Sequence, residues 1–274
     1  MTEHSWFDGG VALVTGGTQG LGLAVAEGLK GRGARGLMLV GRDVSKGQRA
    51  ARELAGDGCE VRFVPADLAT ADACRSVIDA LDECFGTCHA FVSCAARTDR
   101  GDVWTTTAEL WQQMLAVNVT APAVLSQGVA RLMVREGVGG SIVLIGSVVA
   151  HGGPPRLLAY STSKGALIAL TRSLAYQLMR HRVRVNLLNP GWMDTPGEDV
   201  TQRRWEGATD GWLPTAEAGM PFGQLIKPAD IARTIVHLAT AESGMLTGAA
   251  IDWDQSVAGA GPAPVPPAEL GAMP

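Results

Sequence analysis

Short apolar runs alternate along the chain with longer stretches of helical periodicity. Val11–Thr15, Leu37–Val40, Glu60–Val64, Ala90–Ser93, Ser141–Ile145, Arg184–Leu188 and Ala249–Ile251 read as seven strands. Amphipathic stretches separate most of them, including a helix from about Leu21, then Asp72–Cys84 and Leu157–Met179. Such alternation requires crossover connections, and so a parallel sheet. Val11–Val14 and Ile142–Ile145 are apolar at every position, as a strand must be when helices cover both faces of its sheet. The pattern predicts an α/β fold around a doubly wound, seven-stranded parallel sheet.

No compositional break or internal repeat divides the chain, so residues 1–258 are expected to form one domain. Two segments differ from the rest. Residues 192–223 carry Trp192, Trp205, Trp212, Pro196, Pro214 and Pro221 between the sixth strand and the last helix, and are expected to form a long irregular substrate-binding loop. Residues 259–274 hold Pro262, Pro264, Pro266 and Pro267, and are expected to form an extended tail that reaches a neighbouring subunit.

Composition narrows the class. At 46% apolar residues, a chain of 274 can bury a large core. A formal net charge of −4, with no Lys/Arg run longer than two, gives no reason to expect a nucleic-acid partner. No apolar stretch approaches the roughly 20 residues of a membrane span, and residues 1–10 lack a signal core, so a cytoplasmic protein is expected. The five cysteines are odd in number and irregularly spaced, which argues against a disulfide framework. Cys84 and Cys88 have no matching Cys/His pair for zinc, and no metal is expected. Reduced, mostly buried thiols follow.

Candidate chemistry begins after the first strand, at Thr15-Gly16-Gly17-Thr18-Gln19-Gly20-Leu21-Gly22. Glycines let the backbone turn sharply and approach a pyrophosphate, and the helix N-terminus offers free N–H groups to it. The literal GxGxxG at Gly31–Gly36 follows a helix instead of a strand and is read as a flexible connection, with Gly31 or Gly33 ending the helix. The TGxxxGxG spacing of residues 15–22 resembles the cofactor loop of the single-domain short-chain dehydrogenase/reductases, whose fold is Rossmann-like. The larger members of that superfamily usually have glycine where this chain has Gln19. At the end of the second strand stand Arg42 and Asp43. A guanidinium there suits a 2′-phosphate, which favours NADP(H) over NAD(H), while Asp43 and Gln19 weigh against it. A solvated loop arginine is the plain alternative. The resemblance implies that Asp67 and the Leu68 backbone hold the adenine; Asp67 can equally cap the next helix. Ser93-Cys94-Ala95-Ala96 departs from the family's Asn-rich segment and puts a methyl group at Ala96 near the cofactor ribose.

Four residues carry the expected reaction: Asn118, Ser147, Tyr160 and Lys164. Tyr160 and Lys164 are spaced i, i+4 and share a helix face. An ammonium there is expected to lower the phenol's pKa, so that Tyr160 serves as general acid or base. Ser147, at a strand end, can hydrogen-bond the substrate oxygen. The resemblance implies that Asn118 bends its helix and connects to Lys164 through water. It also implies that Pro190, Gly191, Met193 and Thr195, in a PGxxxT pattern, meet the nicotinamide, and that Ala95 belongs to the cofactor-binding set. Val149, His151 and Trp192 join Ser147 and Tyr160 as candidate substrate contacts, with His151 alternatively a surface loop residue.

The match runs from about residue 10 to 255. It implies a hydride-transferring oxidoreductase acting on a small carbonyl or alcohol, a ketone reductase or polyol dehydrogenase, with a bacterial natural-product pathway as one setting. An epimerase acting by transient oxidation and a cofactor-binding regulator are the alternatives. The family also implies a homotetramer, with a dimer as runner-up.

Overall fold

The computed structural model describes residues 6–257, so the reading of the proline-rich tail at 259–274 lies outside the described residues. The strands are β1 (Val11–Thr15), β2 (Gly36–Gly41), β3 (Glu60–Pro65), β4 (Ala90–Ser93), β5 (Ser141–Ile145), β6 (Arg184–Pro190) and β7 (Ala250–Trp253). All pairings are parallel, in the order β3-β2-β1-β4-β5-β6-β7. The helices are α1 (Gly20–Gly31), α2 (Val44–Leu54), α3 (Ala71–Phe85), α4 (Ala108–Leu115), α5 (Ala121–Arg135), α6 (Leu158–Leu178), α7 (Pro196–Trp205), α8 (Trp212–Ala218) and α9 (Pro228–Ala239).

Strand periodicity of two splits the apolar runs between two cores. Ala12 and Val14 of β1, Leu37 and Leu39 of β2, and Val143 and Ile145 of β5 pack on the α1/α9 face. Val11 and Leu13, Met38 and Val40, and Ile142 and Leu144 pack on the face covered by α3, α5 and α6. Helix periodicity matches. Leu21, Val25 and Leu29 of α1 and Ile231, Ile235 and Leu238 of α9 are buried in the first core. The two helices approach so closely that a Cβ on Gly28 would lie 2.8 Å from Val236 Cγ2. Cys74, Val77 and Leu81 of α3 belong to the second core. Thr70 caps α3 by accepting from the Ala73 N–H at 3.2 Å, and Gly86, at φ 67°, ends it.

The sheet order reverses direction at β1: β2 and β3 lie on one side, β4 to β7 on the other. A crevice therefore opens at the carboxyl ends of β1 and β4, which is where such sheets bind ligands. One expectation fails. Residues 192–223 are largely helical, holding α7 and α8. Thr195 caps α7 with Pro196 in its first turn; Glu198 and Asp199 follow, and Arg203 and Arg204 close it. Proline and low hydropathy suggested a loop, but this is an N1 proline with charges placed to suit the helix dipole.

Candidate active site

A cleft of about 1130 Å³ runs over the carboxyl ends of the strands. At one end lie Gly16, Thr18, Gln19, Gly20, Leu21 and Gly22. Three of these positions exclude a side chain. Gly16 (φ 67°) would place a Cβ 3.0 Å from Ala95 N, Gly20 has φ 54°, and a Cβ on Gly22 would fall 2.4 Å from Gly16 O. Thr15 joins this turn to the next strand end: Cys94 N donates to Thr15 O at 3.2 Å and Ala95 N to Thr15 Oγ1 at 3.3 Å. Arg42, Asp67 and Leu68 line the same end, with Ala95 and Ala96 nearer the middle. Asp67 does not cap α3. It closes a tighter turn by accepting from Ala69 N at 3.1 Å, three residues before the true cap, Thr70. Asp43 is the cap of α2, accepting from Lys46 N at 3.0 Å.

At the other end Ser147, Tyr160 and Lys164 converge, with Val149, Pro190, Gly191, Trp192, Met193 and Thr195 around them. Tyr160 and Lys164 sit one turn apart on α6, with Lys164 Nζ 5.6 Å from the phenol ring centroid. Lys164 is buried and donates to Ile145 O at 2.8 Å. Burial brings its ammonium down to about 8, opposed by the Cys94 thiol. Burial likewise pushes the Tyr160 phenol up to about 12, opposed by a hydrogen bond with Ser147; Glu198 adds to the rise and Arg100 opposes it. The expected lowering of the phenol by Lys164 is therefore not seen: loss of solvent outweighs it, and the ammonium is turned toward a backbone carbonyl.

Ser147 follows β5 and is held by its backbone, which donates to Asn189 Oδ1 at 3.1 Å. Gly146 must be glycine here, because a Cβ would lie 2.0 Å from that oxygen. Asn189 Nδ2 donates to Asp252 Oδ1 at 2.9 Å, and His151 Nε2 meets the same oxygen at 2.9 Å. His151 thus does not join the cleft wall; its carboxylate partner on β7 draws it to the exposed edge. Asn118 does bend its helix, in a π-helical turn at Ala116–Thr120 between α4 and α5. Its buried amide accepts from Arg97 N at 2.8 Å and donates to Arg97 O and Ser163 Oγ, each at 3.0 Å. Through these bonds Asn118 fixes the chain beyond β4.

The profile of the enoyl-(acyl carrier protein) reductase family matches residues 16–256. The NADP-dependent (R)-specific alcohol dehydrogenase of Lentilactobacillus kefiri is 34% identical over 243 residues, covering 88% of this chain and 93% of the relative. The chain belongs to the short-chain dehydrogenase/reductase family. The galactitol 2-dehydrogenase of Agrobacterium fabrum is 30% identical, over 85% of this chain and 91% of its own. The crystal structure of L-sorbose reductase from Gluconobacter frateurii, complexed with NADPH and L-sorbose, superposes with a TM-score of 0.85 at 28% identity, covering 92% of this chain and 97% of that one.

In this short-chain dehydrogenase/reductase, the reading of motifs missed several residues of the cleft. Lys46 lies beside Arg42 and donates to Gln19 Oε1 at 2.9 Å. A second cation four residues after Arg42 was the available signal. Glu198 and Gln202 line the substrate end together with Arg100 and Asp254; no motif marks Glu198 and Gln202, which lie on α7. The segment over this end is braced by side chains. Trp192 stacks on Trp212 with centroids 6.1 Å apart. Lys227 Nζ reaches Asp194 at 2.8 Å and Glu217 at 2.6 Å, tying α8 to the chain after β6.

Proposed function

We propose that this oxidoreductase moves hydride between NADP(H) and a carbonyl or secondary alcohol of a small molecule, with Tyr160 exchanging the proton. The observation that carries this is one cleft with a turn that needs glycine at Gly16, Gly20 and Gly22 and two cations, Arg42 and Lys46, at one end, and Ser147, Tyr160 and Lys164 at the other. The nicotinamide, when bound, supplies or accepts the hydride. Gly16, Thr18, Gln19, Gly20, Leu21 and Gly22 leave room for its pyrophosphate, and the N–H groups at the start of α1 face it. Asp67, Leu68 and Ala95 flank the adenosine side; Pro190, Gly191, Met193 and Thr195 flank the nicotinamide side, with Asn118 acting from behind.

In reduction the Ser147 hydroxyl holds the substrate oxygen and Tyr160 gives it a proton. A phenol at about 12 holds that proton throughout the neutral range. The Lys164 ammonium, at about 8, is charged at pH 7 and stabilises the phenolate left behind. Oxidation runs the same transfers backwards and requires the phenolate first. Preference for NADP(H) over NAD(H) rests on Arg42 and Lys46, and on Asp43 being occupied as a helix cap. The named NADP dependence of the kefiri dehydrogenase and the NADPH in the sorbose reductase crystal support it. A homotetramer in the cytoplasm completes the proposal. Exposed Tyr176 and Met179 at the end of α6 and its following turn, and Met245 and Leu246 before β7, are apolar surface that such an assembly would cover.

The test is hydride transfer by the purified protein, followed as loss of NADPH absorbance over a panel of ketones and, in reverse, alcohols. Wild type is expected to turn over at least one pair, and Tyr160→Phe to lower kcat by about 10²- to 10⁴-fold while still binding NADPH. NADPH binding without transfer on the whole panel would overturn the proposal and favour the regulator.

A further inference from the structure

The substrate end of the cleft contains a carboxylate that proton and hydride transfer do not use. Glu198 lies in the first turn of α7, where its N–H donates to Thr195 Oγ1 at 3.0 Å. The cap fixes where this side chain starts. Its Oε1 accepts from Trp192 Nε1 at 2.8 Å and from Gln202 Nε2 at 2.7 Å. Trp192 is itself stacked on Trp212, so one of the two donors that hold the carboxylate is fixed in turn. Its Oε2 takes no hydrogen bond from the described residues, and Glu198 makes no ion pair among them. The carboxylate nonetheless lines the cleft and acts electrostatically on Tyr160.

The cations on that side are already engaged. Arg100 donates to Glu206 at 2.8 Å and to Thr98 O at 2.9 Å, and Arg97 pairs with Asp99 at 2.9 Å. An anionic substrate would find no free partner and would face Glu198. An ammonium would gain Glu198 but meet the field of Arg100, which also reaches Tyr160. A neutral hydroxyl satisfies Oε2 without either penalty. With the reacting oxygen against Ser147 and Tyr160, that hydroxyl must sit on a carbon close to the reacting one.

We infer that Glu198 Oε2 selects substrates bearing a hydroxyl one or two carbons from the reacting centre, so that hydroxy ketones and the corresponding diols are the substrate class of this site. The inference rests on the NADP(H)-dependent reading above. Glu198 acts as a specificity residue: it keeps its two donors in every state and accepts a third only from the right substrate. A hydrogen bond to a charged acceptor in such a site separates a substrate from its deoxy analogue by about 10- to 100-fold.

The experiment compares NADPH-dependent kcat/KM on 3-hydroxy-2-butanone, 4-hydroxy-2-butanone and 2-butanone, with aminoacetone as the cationic probe. Glu198→Gln keeps an oxygen for Trp192 and Gln202 but turns the free acceptor into a donor. Wild type is expected to favour at least one hydroxy ketone over 2-butanone by tenfold or more, and E198Q to bring that ratio within about threefold. The ratio is taken within each protein, so a partly unfolded variant does not distort it. No preference in wild type, a preference unchanged in E198Q, or aminoacetone favoured over both hydroxy ketones would overturn the inference while leaving the general function standing. No transfer to any of the four compounds, nor to the wider panel, would overturn both.

Discussion

Lys164 should make the cofactor-free protein less stable than it could be. Held at about 8 instead of 10.5 by burial, its ammonium costs the fold about 3 kcal/mol at neutral pH. Lys164→Met keeps most of the stem and removes the charge. It also removes the 2.8 Å bond to Ile145 O, a loss of about 1 to 2 kcal/mol including the carbonyl left with one donor fewer. The net expectation is a gain of about 1 to 2 kcal/mol, or about 2 to 8 °C in Tm for a chain of this size. The pH dependence is the sharper signature. Below pH 8 the lysine is protonated in both folded and unfolded chains, and the cost is constant. Between 8 and 10.5 the folded protein releases the proton first, so wild-type stability rises and the variant's advantage shrinks. Tyr160, Cys88 and Cys94, all pushed up to about 12, act oppositely at high pH in both proteins, so the difference between the two curves is what is read. Urea unfolding of cofactor-free protein at pH 7, 8, 9 and 10 measures it. A variant less stable at pH 7, or an advantage that does not change with pH, would refute the reasoning. Turnover should fall in the same variant, an exchange of stability for activity.

Two further outcomes are expected. Arg42→Ala should raise the KM for NADPH by about tenfold or more and Lys46→Ala by less, both effects weakening at high salt, with NADH kinetics little changed; equal losses for the two cofactors in steady-state assays would remove the phosphate reading. Alcohol oxidation should quicken from pH 7 to about 8, as one proton leaves the Tyr160–Lys164 pair and the small phenolate–ammonium fraction rises, and then level off, whereas ketone reduction should not quicken and should decline above about 8 as Lys164 loses its charge, so parallel pH–rate profiles for the two directions would contradict the assignment.

The sheet was legible because a doubly covered parallel strand has little choice of composition. Val11–Thr15 and Ser141–Ile145 are buried at every position, and their predicted limits hold. The glycine turn was legible for the related reason that Gly16 and Gly22 have no room for a Cβ. The segment over the substrate was harder. α7 buries only Thr201 among its residues, so it leaves no apolar period to detect, and its proline counted toward a loop. His151 shows another limit: a residue type suggests chemistry, but its partner decides the role. Asp252, distant in sequence, takes that side chain to the exposed edge. Burial overturned the expected tyrosine pKa in the same way, since solvent loss depends on the assembled fold and not on the i, i+4 spacing.

The close seat of α1 against α9 has a consequence for how the molecule comes into being. Leu21, Val25 and Leu29 are made well before the helix that covers them, which begins at Pro228. Roughly 200 residues must be translated in between, which at about 5–20 residues per second leaves this face uncovered for about 10 to 40 seconds. The nascent chain therefore carries an unfinished apolar surface throughout that interval, a ready target for chaperones, and truncation ahead of α9 should yield aggregates instead of a smaller enzyme.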